Sequence, residues 1–188
     1  MPKHLLVYYE MGDKALWELL LKGDLKASEV LYVKYYDLLL NYGLKYCSNE
    51  DLVKDCIQDL FVKLYFHRNL PKVEYVRSYL LKSLAHIIFD RYRNKKNAVS
   101  LMDLTFNVFD VMSDDLDESF ADEDLKVISQ LKYAHEALTE KQKHIIYLRF
   151  VQKLSYKEIA AVLDINVQSA MNSVHRAIEK LRNHMSRY

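Results

Sequence analysis

Between Ser155 and Arg182 the chain carries side chains suited to reading base edges and gripping phosphate, at helical spacing. Gln168, Ser169, Met171, Asn172, His175 and Arg176 fall on the early turns of one expected helix, Val167 to about Met185. Lys180 and Arg182 follow on its later turns. A carboxamide such as Asn172 matches the donor–acceptor pair that adenine shows in the major groove, and a guanidinium such as Arg176 matches the two acceptors of guanine. The later cations suit phosphates, which fix register without reading sequence. Met171 offers only van der Waals contact. The alternative is a helix pair that merely packs; Arg176, Lys180 and Arg182 favour phosphate contact over it.

Such a face needs a support that holds the helix at a fixed angle. Tyr156 to Leu163 is a short amphipathic helix with Ser155 placed to cap it, and Asp164-Ile165-Asn166 is a three-residue turn. Asn166 has the side chain to cap the next helix. Ala160 is small where two helices would cross closely, and Ile165 is expected to plug the angle between them. This is helix-turn-helix grammar, in which the second helix enters the major groove. Upstream, Thr139 and Gln142 have the spacing of a capping box. They predict a helix from Glu140 to Phe150, preceded by one from Asp122 to Leu138.

The first half of the chain repeats an apolar period of about 3.6 residues. Helices are predicted over Lys14–Lys22, Lys26–Tyr46, Asp51–His67 and Glu74–Asn94, the first carrying the single tryptophan, Trp17. Val30, Leu31, Val33, Tyr35, Leu38, Leu39 and Tyr42 form one apolar face, and Leu52, Val53, Ile57, Leu60, Phe61 and Leu64 another. Pro71 cannot sit inside a helix, so the chain restarts after it. Only 3 Gly and 2 Pro are present, too few for the turns of a strand-rich protein, so the fold is expected to be all-α.

The net charge is +1, but the charges are segregated. Lys82, Arg91, Arg93, Lys95 and Lys96 make a basic stretch; Asp114, Asp115, Asp117, Glu118, Asp122, Glu123 and Asp124 make an acidic one; Arg176, Lys180, Arg182 and Arg187 make the C-terminal segment basic again. The pattern suggests two phosphate-meeting modules separated by a segment that repels phosphate. Periodicity fails between them. Two helical domains are expected, 1–96 and 122–188, joined by a flexible acidic linker, 97–121. Cys47 and Cys56 lack CxxC spacing and read as buried thiols rather than a disulfide. No apolar run is long enough for a membrane span and no signal peptide stands at Met1, so a cytoplasmic location is expected.

Enzymatic chemistry finds little support. The seven histidines are scattered, and no His/Cys group has metal-ligand spacing. There is no glycine-rich phosphate loop and no nucleophile elbow. No catalytic residue, metal, cofactor or small-molecule substrate is expected.

Two further motifs make the reading specific. Leu154-Ser155-Tyr156-Lys157-Glu158-Ile159-Ala160 and His175-Arg176-Ala177-Ile178-Glu179-Lys180-Leu181-Arg182 resemble region 4 of the sigma-70 family, in its extracytoplasmic-function group. Asp55-Cys56-Ile57-Gln58-Asp59-Leu60-Phe61 resembles the D-x-x-Q-D/E-x-F core of region 2 in the same family, and Arg77 through Asp90 is similar to that region's promoter-melting helix. The order of the two motifs matches the family, and the resemblance covers nearly the whole chain.

The resemblance implies a subunit that lends promoter recognition to RNA polymerase, reading the −10 and −35 elements. It implies that Asp55, Gln58 and Asp59 dock on a coiled coil of the polymerase's largest subunit; a solvated helix face is the plain alternative. It implies that the loop and helix after Asn69 meet a promoter element that opens, with one base extruded at a cost of a few kcal/mol. Asn69 and Lys72 are the expected pocket residues. Arg77, Lys82, Arg91 and Arg93 are expected on the backbone, with Tyr79, His86 and Asp90 on the same helix. Tyr75, Tyr79, Phe89 and Tyr92 have rings that could stack on bases; Phe89 is expected in the core, while Tyr79 fits either role. His86 stands where the family usually has Asn, which fits either an altered promoter contact or a buried histidine. Ala85 stands where Arg is frequent. Members of the group are commonly held by an anti-sigma factor, often membrane-bound, and such a partner is expected beside core polymerase and promoter DNA. The competing function is a decoy that binds an anti-sigma factor without promoter activity. The basic residues Arg91 to Lys96, Arg176 and Arg182, which a decoy does not need, argue against it.

Overall fold

The structure, a computed structural model, describes residues 7–66, 70–95 and 122–186. Helices joined by short connections make up these residues, with no strand among them, as the scarcity of turn formers predicts. By packing, the chain divides into two units, Met1–Leu101 and Met102–Tyr188. The expected acidic linker, 97–121, lies outside the described residues.

The first unit contains α1 (Asp13–Leu21), α2 (Leu25–Gly43), α3 (Glu50–Phe66) and α4 (Val76–Lys95). Asp24 starts α2: its carboxylate accepts the Lys26 and Ala27 amides at 2.9 and 3.2 Å, satisfying donors that no helical carbonyl reaches. The four helices share one core, α2 packing on α1, α3 and α4. Leu16, Trp17, Val30, Leu31, Leu39, Tyr42, Val53, Ile57, Leu60, Val76, Leu80, Leu84 and Ile88 fill it. Val33 departs from its expected place and stands exposed, because a stripe of Ala27, Val30, Leu31, Tyr35, Leu39 and Tyr42 already covers the buried side of α2. Both cysteines are free and buried. Burial pushes the Cys56 thiol up to about 11, so it stays protonated and unreactive at neutral pH.

The second unit contains α5 (Asp122–Glu136), α6 (Glu140–Ile146), α7 (Tyr156–Leu163) and α8 (Val167–Met185). α8 packs against the other three. The Thr139 capping box is formed in both directions: the Thr139 amide donates to Gln142 Oε1 at 3.0 Å, and the Gln142 amide to Thr139 Oγ1 at 3.3 Å. The helix it starts does not run to Phe150 as a regular α-helix. From Tyr147 to Val151 it widens into a π-helical turn. Buried polar groups accompany the turn: Gln152 Nε2 donates to the Tyr147 hydroxyl at 2.8 Å, and the Leu154 amide reaches back to the Leu148 carbonyl at 3.0 Å.

Candidate nucleic-acid interface

The expected reading helix is built from its N-terminus. Ser155 caps α7 in a second capping box, accepting the Glu158 amide while the Glu158 carboxylate takes the Ser155 amide at 2.8 Å. Asp164 adopts a left-handed conformation (φ 57°) and ends α7. Aspartate tolerates that region better than most residues. Asn166 Oδ1 then accepts the Ser169 amide at 2.7 Å and starts α8. Ala160 of α7 and Ala170, Val174 and Ala177 of α8 are buried, and the two helices pack on each other. Ile165, the expected plug, keeps 37% of its surface exposed, so it is only partly covered.

With Ala170, Val174 and Ala177 turned inward, the periodicity of α8 puts Gln168, Met171, Asn172, His175 and Arg176 outward, and all five are exposed. Ser169 and Lys180 are half-buried. Ser169 gives its amide to the cap, so it helps form the helix start as much as the outer face. Gln168 Nε2 donates to Asn172 Oδ1 at 3.1 Å, holding the two carboxamides side by side. Sequence reading missed Glu179, which sits on the same face and meets His175 at 3.3 Å. An i, i+4 spacing of opposite polarities was the available signal.

In the first unit, α4 divides its expected residues between two sides. Tyr79, Lys82, His86, Asp90 and Arg93 lie along one side by helical spacing. His86 is exposed, so it is not a buried histidine. Asp90 and Arg93 pair at 3.3 Å, and Arg93 lies 5.8 Å from the centroid of the half-buried Phe89 ring. Arg77 and Arg91 lie off that side, toward the core. Arg91 pairs with Asp59 of α3, so a residue expected at DNA and one expected at polymerase hold each other. Tyr92 turns its hydroxyl to the Cys47 thiol, and this bond with burial pushes it up to about 12. Lys72 is exposed in the connection before α4. Asn69, the other expected pocket residue, lies outside the described residues.

On α3, Asp55 and Gln58 are exposed and Asp59 is half-buried, opposite the buried Val53, Ile57, Leu60 and Leu64. Val62, Tyr65 and Phe66 continue the same outer stripe toward the C-terminus, exposed although apolar. Sequence reading passed over them because an apolar residue on a helix is first assigned inward. Trp17 is a second omission: it reaches from α1 to the connection before α4, donating to the Pro71 carbonyl at 3.0 Å.

The two regions that the family comparisons match fall one within each folded unit. Residues 31–98 match the model for sigma-70 region 2, and residues 128–181 match that for sigma-70 region 4. The chain belongs to the sigma-70 family, in its extracytoplasmic-function group. The family is one of transcription initiation factors rather than enzymes. Among its sigma-70 relatives, RNA polymerase sigma factor YlaC of Bacillus subtilis is 28% identical over 85% of this chain and 92% of that protein. The ECF RNA polymerase sigma-E factor of Escherichia coli is 27% identical over 93% of this chain and 94% of its own. Among solved structures, CnrH in complex with the cytosolic domain of CnrY shares the fold, with a TM-score of 0.57 at 22% identity, over 93% of this chain and 97% of that one. The sigma factor RpoE of Bartonella quintana, solved with the anti-sigma factor NepR, gives a TM-score of 0.50 at 15% identity, over 84% of this chain and 96% of that one. Among the described residues of this sigma-70 chain, no helix is long and apolar enough to cross a membrane, and no group of His, Cys, Asp and Glu is placed to hold a metal ion.

Proposed function

We propose that this chain directs transcription initiation as an extracytoplasmic-function sigma factor, binding core RNA polymerase and choosing where it starts. The observation that carries the proposal is the pair of region models, matched in family order on two separately packed units. In this reading Asp55, Gln58 and Asp59 on α3 meet the polymerase. Lys72, Tyr79, Lys82, His86, Asp90 and Arg93 face the −10 element as it opens, with Asn69 and Arg77 near it and Arg91 acting partly through Asp59. On α8, Gln168, Met171, Asn172, His175 and Arg176 read the −35 element, and Ser169 and Lys180 support the approach. Base pairs exchange donors and acceptors with Asn172 and Arg176, and phosphates meet the flanking cations, so affinity falls steeply with salt. Bond-making chemistry belongs to the polymerase. The work is done in the cytoplasm, with an anti-sigma factor as regulator.

The test is run-off transcription from genomic fragments with purified core polymerase, with and without the chain. Transcripts that appear only with the chain, and vanish with Arg176→Glu, support the reading. A chain that binds neither core nor DNA overturns it. Binding to an anti-sigma factor with no new transcripts, unchanged by Arg176→Glu, turns the assignment to a decoy.

A further inference from the structure

Trp17 stands on α1, outside every segment assigned to polymerase or promoter. Its ring is only 1% exposed, which a core role would explain by itself. Its polar end needs a second account. The indole N–H donates to the backbone carbonyl of Pro71, 54 residues away in sequence, at 3.0 Å. The ring also meets Tyr79, on the first turn of α4, edge to face, with centroids 5.0 Å apart and planes at 64°. Pro71 and Lys72 lie in the connection 70–75, which has neither helix nor strand. No backbone–backbone hydrogen bond holds residues 70–74 among the described residues, and Pro71 has no N–H to offer one. One buried side chain thus joins the connection to the ring at the head of the α4 face.

We propose that Trp17 is a positioning residue for promoter opening: it holds the Pro71–Lys72 connection and the Tyr79 ring in the geometry that receives unpaired promoter DNA, without touching the DNA. The inference rests on the reading of α4 as the promoter-facing helix. A connection ordered before DNA arrives loses no further conformational freedom on binding. Without the N–H, the connection loses one anchor and more of its ordering falls to DNA binding, so the loss appears in open-complex formation rather than in assembly with polymerase.

The decisive variant replaces Trp17 in the full chain with benzothienylalanine, which keeps the bicyclic shape and the contact with Tyr79 but puts sulfur where the N–H was. Trp17→Phe is the encoded companion. The DNA is a promoter recovered in the run-off experiment, and permanganate footprinting of its unpaired thymines reads opening. Core affinity and binding to a duplex carrying only the upstream element are read in parallel. The expected result is an open-complex yield reduced about fivefold, the weight of one hydrogen bond, with core affinity and upstream-duplex binding unchanged. Opening at the wild-type level overturns the inference. So does an equal fall in all three readouts, which marks general destabilisation. A wild-type chain that opens no promoter overturns the underlying functional reading, and the inference with it.

Discussion

Gly43 gives the most direct test of the packing that supports the promoter-facing unit. It is the last residue of α2 and is buried against α3 and α4. A Cβ added there would lie 2.4 Å from Val53 Cγ1 and 3.3 Å from Ile88 Cδ1. Carbon atoms in good contact stand about 3.5–4.0 Å apart, so the first distance must open by more than an ångström. Val53 is β-branched and sits in a helix, where one χ1 rotamer dominates, so its methyl cannot simply swing aside. Overpacking of this kind costs about 1–3 kcal/mol. Alanine recovers at most about 1 kcal/mol of helix propensity over glycine, and less at a terminal position. Gly43→Ala is therefore expected to destabilise the first unit by about 1–2 kcal/mol, a fall in Tm of about 5–15 °C for a unit of this size. Trp17 is the chain's single tryptophan and is buried in that unit, so a fluorescence melt reports on it selectively. Pairing Gly43→Ala with Val53→Ala removes the clashing methyls, and the double variant should lose less stability than the sum of the singles. Gly43→Ala melting at or above wild type would refute the close-approach argument.

Three other outcomes are expected. Asn166→Ala removes the bond to the Ser169 amide at the start of α8 and should cost the second unit about 1 kcal/mol and weaken promoter binding, whereas Asn166→Asp, which keeps an acceptor, should not; equal loss in both variants speaks against the cap. Acid should weaken the second unit. Burial, with repulsion from Lys143, holds His135 down to about 4, and burial holds His144 down to about 3, both below an unfolded value near 6.5. Above pH 6.5 neither state binds these protons. As pH falls toward 4 the unfolded chain takes them up first, so stability is lost across that window, by up to about 3 kcal/mol through His135. Followed by helical ellipticity, the second unit should melt at a lower temperature at pH 5 than at pH 7.5, and identical melts at the two pH values would count against it. Finally, Arg91→Ala should lower affinity for core polymerase about two- to fivefold by releasing Asp59, besides any effect on DNA; a loss confined to DNA binding dissociates the two faces.

Much of the molecule was legible because it is built from local rules. The caps at Thr139, Ser155 and Asn166 join residues three apart, and α7 and α8 have the bounds their caps and periodicity predict. The outward row on α8 follows from 3.6-residue spacing once its small inward residues are recognised. The same spacing gave the buried stripe of α3, and the lack of CxxC spacing pointed to free, buried cysteines. The π-helical turn at Tyr147–Val151 escaped because it answers to a buried Gln152 and Tyr147 pair that no local propensity encodes.

Sequence by itself therefore determined most of the helices and of their inward faces, the capped start of the reading helix and, through two motifs in order, the family. Tertiary structure decided which chemistry-bearing residues meet. Arg91 reaches Asp59 across 32 residues, Trp17 reaches Pro71 across 54, and Gly43 admits Val53 from the next helix. Each contact depends on the angle and distance at which two helices cross. Those quantities come from side chains of several elements packing at once, and no window of sequence contains them.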